Sequence, residues 1–400
     1  MKFARGLCIA FLLLAPLMGV AQDGLSTWQT VAQPAFDSSK AARVSNLTIE
    51  RDRIKITLQQ GVIQFGQPVE GTVFAAAFRG TGRIRVEPPN SVEAQQLRFF
   101  TGKDVFDMEF TEAVITFTDK TYDEVAATVQ WEPSAADASL AKTYKERQEF
   151  LENYGAQLLP RLVKGVLSAD KKQTELFFAE VKTAEKGWVF AKLDALDPEE
   201  IEIGRWLTYG VARFADTWLH FPRGNRRSAQ AWQDPLARED FLPENYQIFA
   251  TATAGAELRA RTLVQLRPRW SGERVLQFLL DSNLRVQSVK DVASGKALLF
   301  MQAQEQKERL QPYGEYLSVF FPEPLVAAQV YTLEFVYGGR RVIRNMGPGV
   351  YFCQSFGWYP TRLNFALRSN FELNFRSPKK YALVATGMKE SETETHNPKS

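Results

Sequence analysis

From Glu257 to Leu266 the chain reads "ELRARTLVQL", where Leu258, Ala260, Thr262, Val264 and Leu266 alternate with Glu257, Arg259, Arg261 and Gln265. A period of two places the first set on one face of a β-strand and the second on the other, which demands a sheet with one dry and one wet side. "RVLQFLLD", "LRVQSVKDV", "KALLFM", "YLSVFF" and "QVYTLEFVYG" repeat the pattern. They follow one another at the eight-to-twelve-residue spacing of a β-sandwich. "FELNF" and "YALVAT" add two further strands, so an antiparallel β-sandwich is expected over residues 246–390, ahead of a polar tail at 391–400.

The upstream half mixes two patterns. Residues 22–45 read as polar and irregular. "NLTIERDRIKITL", "VEGTVFAAAF", "GRIRVEP", "VFDMEF" and "AVITFT" then form short β-branched and aromatic runs punctuated by Gly, Pro or Asp-Lys. "SVEAQQLRFFTG" interrupts them as a helix, capped by Ser91 and stopped by Gly102. Leu140, Tyr144, Phe150 or Leu151, Tyr154 and Leu158 recur at helical intervals until Pro160, which should end or kink that helix. Strands return at "TELFFAEV", "GWVFAKLDAL" and "IEIGRWLTYGV", giving an α+β domain over 46–220. Residues 221–245, rich in Arg and Pro and without periodicity, read as a linker. The fold class is therefore mainly β with some α: an α+β domain followed by an antiparallel β-sandwich.

At the N-terminus, Lys2 and Arg5 precede the apolar run Leu7–Ala21, which ends Gly19-Val20-Ala21. This is the pattern of a secretory signal peptide, residues 1–21, cleaved before Gln22. An uncleaved anchor is the alternative, but the run is shorter than the roughly 20 apolar residues of a spanning helix. Export to the periplasm or the extracellular space follows as an expectation, with no membrane span after cleavage. Cys8 lies inside the signal and leaves Cys353 as the one cysteine of the mature chain, so stability has to come from burial instead of disulfides. The 45% hydrophobic composition is ample for that. With 49 basic and 46 acidic residues interspersed, there is no bulk attraction toward nucleic acid. Asn46-Leu47-Thr48 matches a glycosylation acceptor and reads as a chance match at the start of a strand.

Catalytic motifs are scarce. Only two histidines exist, His220 in "DTWLHFPRG" and His396 in "TETHNPKS", and neither forms the helical pair that a zinc peptidase needs. Cys353 in "YFCQSFGWYP" reads as a small buried hydrophobe rather than a thiolate. Ser168-Ala169-Asp170-Lys171 has Ser-x-x-Lys spacing but no companion elements, and reads as surface. Gly80-x-Gly82 precedes a strand instead of the helix N-terminus that would hold a phosphate. "NMGPGVYF" (345–352) reads as a turn. Glu199 and Glu200, adjacent on the chain, point to opposite faces and read as a solvated loop. Trp206, Tyr209, Trp218 and Trp232 cluster in sequence near the domain junction, either as interdomain core, the favoured reading, or as a binding platform for sugars or peptides.

Three segments of the second half carry a family likeness in their order: "WSGERVLQFLLDSNLRVQSVKDVASGKALLFMQ", "GEYLSVFFPEPLVAAQVYTLEFVYGG" and "GWYPTRLNFALRSNFELNFRSPKKYALVATG". Over residues 250–390 they resemble the N-terminal β domain of M1-family metallopeptidases, the aminopeptidase-like gluzincins. The first half is similar to the extra region that precedes this domain in some secreted bacterial M1-like proteins. The resemblance implies a zinc peptidase whose His-Glu-x-x-His helix and Gly-x-Met-Glu-Asn strand come after the β domain. Neither motif occurs between Met1 and Ser400: Met108-Glu109 is followed by Phe110, and Thr361-Arg362-Leu363 stands where Asp-Glu-Pro is common. No catalytic, cofactor-binding or metal-ligating residue is therefore expected in this chain, and zinc only in a downstream domain. That domain is the expected partner, with peptide substrate reached only through it. Truncation before the catalytic domain is the favoured reading. The alternative is a stand-alone periplasmic binding or scaffolding protein with an aromatic surface.

Overall fold

A computed structural model describes residues 15–153, 158–209, 212–224, 236, 239–302, 315–353, 356–362 and 364–394. Eight antiparallel strands, each hydrogen-bonded to the next in sequence, build the first sheet. They are β1 (Phe36–Arg51), β2 (Ile54–Gly66), β3 (Ala75–Val86), β4 (Phe106–Phe117), β5 (Leu176–Thr183), β6 (Gly187–Asp194), β7 (Ile201–Tyr209) and β8 (Ala212–Phe221). The helices are α1 (Ala15–Ala32), α2 (Ser91–Thr101), α3 (Thr121–Ala126), α4 (Ala138–Asn153) and α5 (Leu158–Leu167).

This sheet is covered on both faces around β5 and β6, while β3 and β4 keep a wet row at Arg83, Arg85 and Glu109. On one face, Ile56, Ile84, Ile115, Phe177 and Trp218 pack with Leu97 of α2 and Val125 of α3. On the other, Phe74, Val114 and Phe178 meet Val31 of α1, Tyr144 of α4 and Leu162 of α5. That double cover explains why Leu176–Val181 is buried at every position, where an alternating strand would be half exposed.

The second domain is a sandwich. A five-stranded sheet runs β12-β15-β10-β9-β18 and a three-stranded sheet runs β11-β14-β13. Their strands are β9 (Phe241–Ala252), β10 (Leu258–Pro268), β11 (Val275–Leu280), β12 (Leu284–Asp291), β13 (Leu299–Gln302), β14 (Glu315–Phe320), β15 (Tyr331–Gly339) and β18 (Asn370–Arg376). The hairpin β16 (Ile343–Gly347) with β17 (Val350–Cys353) stands apart. In β10 the five residues from Leu258 to Leu266 expected on the dry face are all buried, and Thr262 shares a 2.9 Å hydroxyl hydrogen bond with Tyr337.

The mainly β class and the antiparallel sandwich stand as read from the sequence. Several local expectations are corrected. Residues 22–45 are not irregular: they hold the second half of α1 and the start of β1. Buried Thr27 and Val31 fix that helix, whose Gly24 lies against Leu299 and Phe320. Asn46 lies within β1, not at its start. The runs around Gly80 join into one strand, β3, and "VFDMEF" and "AVITFT" join into β4. Asn90, not Ser91, caps α2, because its side-chain oxygen accepts from the Val92 and Glu93 amides. Pro160 sits in the first turn of α5, where its missing N–H breaks no helical bond. Strand β8 occupies "ARFADTWLHF", a stretch without a clear strand pattern in the sequence. Phe221 closes β8 and Phe241 opens β9, which trims the expected linker at both ends; residues 225–235 and 237–238 of it lie outside the described residues. "YALVAT" forms no strand, and β18 pairs in parallel with β9.

Candidate functional site

Where the two domains meet, α5 inserts two cations among apolar neighbours. Arg161 and Lys164 lie three residues apart on a helix whose residues 161–167 are all buried. The Lys164 ammonium donates to Asp240 Oδ2 at 2.8 Å, Glu273 Oε2 at 2.5 Å and the Val275 carbonyl at 2.8 Å, so its three protons are all placed. The other Glu273 oxygen accepts from Ser168 Oγ (3.2 Å) and Trp270 Nε1 (3.0 Å). All three ionised side chains are almost fully withdrawn from water.

Arg362 completes the cluster. Its Nε and a terminal nitrogen contact Glu239 Oε2 at 2.9 and 2.8 Å. Another nitrogen donates to the Gln277 carbonyl at 2.7 Å. Its guanidinium lies 3.0 Å from Asp240 Oδ1, a charge contact that is too poorly aligned for a hydrogen bond. Burial disfavours ionised Asp240, yet Arg362 and Lys164 outweigh it and hold the carboxyl below its ordinary value. Arg362 is likewise kept charged by Asp240 and Glu239 against its own desolvation. Two cations, Lys164 of α5 and Arg362 of the segment after the Trp358-Tyr359-Pro360 turn, thus face three carboxylates, Glu239 and Asp240 just before β9 and Glu273 just before β11. This arrangement fixes one domain against the other.

Next to it, Ser168 and Lys171 prove not to be ordinary surface. Ser168 is buried, and Lys171 donates to the Gly165 and Val166 carbonyls at 2.8 and 2.7 Å, closing the C-terminal end of α5. Burial lowers its ammonium to about 8.

The remaining sequence candidates scatter. His220 lies on β8, exposed, with Nδ1 3.2 Å from Glu199; His396 lies outside the described residues. Glu200 lies in the loop before β7 as read, but is fully buried instead of solvated, and accepts from the Arg223 amide at 3.0 Å. Cys353 is exposed, not buried, though neighbouring protein and Asp281 push its thiol up to about 11, which keeps it protonated at neutral pH. Gly80 lies opposite Gly61 in the β2–β3 ladder, and Gly82 makes room for the Phe110 ring; both glycines serve packing. Trp218 packs on Phe106 in one core of the first domain. Trp206 packs on Phe190 on the opposite side of the sheet. Tyr209 is exposed, and Trp232 lies outside the described residues. The structure does not bring these aromatics together. Among the described residues no three His, Cys, Asp or Glu side chains converge as a metal set.

Sequence reasoning missed the cluster itself. Its one signal was "LLPRLVKGVL", where Arg161 and Lys164 interrupt the apolar stripe of α5.

No family profile and no curated protein matches the chain. Solved structures that resemble it are distant. A two-domain M1 zinc metallopeptidase bound to L-arginine has a TM-score of 0.33 at 15% identity, over 40% of this chain and 37% of that one. An M1 zinc metallopeptidase from Deinococcus radiodurans gives 0.31 at 15%, over 39% and 37%. Native leukotriene A4 hydrolase from Saccharomyces cerevisiae gives 0.29 at 16%, over 36% and 24%. The likeness spans less than two fifths of each of these proteins.

Proposed function

We propose that the chain is the noncatalytic N-terminal portion of an exported M1-like metallopeptidase, a locked pair of domains that holds, and shapes access to, a zinc-bearing domain downstream. The observation that supports this reading is the open edge of the sandwich. Strand β18 is the outermost of five, and its Phe371, opposite Tyr246 in the ladder, stacks on that ring at 5.0 Å while remaining half exposed. Leu373 and Phe375 on the same face, with Trp358 and Tyr359 beside them, are only partly covered. An edge without a partner strand among the described residues, over a half-covered apolar layer, is a surface that further protein would complete. The order of strands over residues 250–390 is the second support.

The test has two parts. The coding sequence past codon 400 is expected to continue into a His-Glu-x-x-His motif, and a stop codon there counts heavily against the reading. The purified 400-residue chain is expected to hold no stoichiometric zinc and to release no amino acid from aminoacyl substrates. One equivalent of tightly held zinc by metal analysis would contradict it.

A further inference from the structure

The sandwich is polarised in charge along its length. Between Gly338 and Lys389 the sequence has nine basic residues and a single acidic one, Glu372, although the chain's net charge is only +3; the remainder is therefore net acidic. The same stretch contains Met346, Val350, Phe352, Leu383, Val384 and Met388, each with more than half its surface in water.

Topology gathers most of this at one end. Strand β9 starts beside Asp240 in the buried cluster and runs to Ala252, roughly 40 Å of extended chain. In the neighbouring ladders Arg376 lies opposite Thr251 and Gly339 opposite Leu258, so Arg340 and the segment after Arg376 both emerge at the end remote from the first domain. The β16–β17 hairpin and the 379–389 segment form one surface there, since the Tyr351 and Tyr381 rings meet at 5.1 Å.

Five carboxylates at this end, Glu257, Asp281, Glu390, Glu392 and Glu394, offset part of the charge. Glu257 pairs with Arg259 at 2.9 Å and reaches Arg340 at 4.0 Å. Asp281 accepts from the backbone and side chain of Asn283. Glu394 pairs with Lys379 at 3.0 Å and Glu392 pairs with Lys389. Among the described residues, no carboxylate pairs with Arg341, Arg344 or Lys380.

We propose that this end of the sandwich docks on an anionic lipid bilayer, with the hairpin tip and Leu383-Val384 entering the headgroup layer and Arg341, Arg344 and Lys380 lying against lipid phosphates. Exposed apolar tips ringed by cations that no carboxylate neutralises match a charged interface with an apolar interior. The core of a protein interface is instead depleted of charge. Tyr351 and Tyr381 have the amphipathic rings that suit that depth. The inference does not depend on the peptidase reading, because the surface belongs to the described residues alone.

The experiment is sedimentation of the full chain with vesicles of phosphatidylcholine alone and of phosphatidylcholine with stepped amounts of phosphatidylglycerol. Binding is expected to rise with phosphatidylglycerol and to fall with salt. Replacing three charges (R341Q/R344Q/K380Q) should lower partitioning on the order of 100-fold. V350D/F352D should abolish it, with thermal unfolding of both variants unchanged because every altered side chain is exposed. The wild-type titration decides the matter even if a variant melts early. Equal sedimentation with neutral and anionic vesicles, no sedimentation at all, or retention of an acidic protein in place of lipid through the same residues overturns the proposal.

Discussion

Replacing Lys164 by Met removes the ammonium that joins α5 to Asp240, Glu273 and the Val275 carbonyl. The two carboxylates do not suffer equally. Asp240 keeps Arg362, 3.0 Å away, whereas Glu273 keeps only the neutral donors Ser168 and Trp270 as hydrogen-bond partners, with Lys171 and Arg161 as cations farther off. The Glu273 side chain has no exposed surface, so an uncompensated buried charge remains, at an expected cost of about 3–5 kcal/mol at neutral pH. Protonating a stranded carboxylate removes its charge, so the penalty should shrink as pH falls. Urea unfolding of wild type, K164M and K164M/E273Q at several pH values measures all three effects. E273Q in the K164M background should recover on the order of 2 kcal/mol at neutral pH, since it removes the stranded charge. A loss below about 1 kcal/mol, a loss independent of pH, or no recovery in the double variant would refute the assignment of Lys164 as the interdomain lock.

Two further perturbations test the surroundings and the first sheet. Because Lys171 titrates near 8 when folded, the unfolded chain holds a proton that the folded chain has released between about 8 and the ordinary lysine value. Stability of wild type relative to K171M should therefore rise with pH across that window, by about 1–2 kcal/mol once partial exposure is allowed for, as read from urea midpoints. In G80A the new Cβ would lie 2.0 Å from the Gln60 carbonyl oxygen and 2.6 Å from Gly61 Cα, both backbone atoms. A loss of more than about 3 kcal/mol by thermal or urea unfolding is expected, and a near-neutral result would show that the β2–β3 ladder yields more easily than its geometry implies.

The sandwich was legible because its strands are wet on one side: Leu258 to Leu266 alternate, and alternation survives in sequence. The first sheet was legible in kind but not in detail. With both faces covered, β5 shows no period, and β8 ("ARFADTWLHF") places Trp218 in one core while His220 faces water, which does not read as a strand. Glycines misled in a consistent way. Gly80 looks like punctuation between two strands, whereas its missing side chain lets one strand continue past Gly61. The buried cluster was almost invisible, because its members stand at 164, 239, 240, 273 and 362, and no local window holds more than two of them. Arg362 stands out in the sequence only as a departure from a family pattern. The structure gives it an ion pair with Glu239 and Asp240.

The neighbour-to-neighbour order of β1 through β8 has a consequence for synthesis. Each strand of that sheet finds its partner in the strand made just before it, so the first sheet, although β4 reaches β5 only across α3, α4 and α5 with Phe117 opposite Phe177, can form while later residues are still on the ribosome. Lys164 cannot complete its contacts on that schedule. Its acceptors lie 76, 109 and 111 residues further along, and Arg362 arrives later still. The lysine must stay hydrated on a half-made surface until the sandwich folds, and its dehydration then marks the moment at which two independently growing bodies become one.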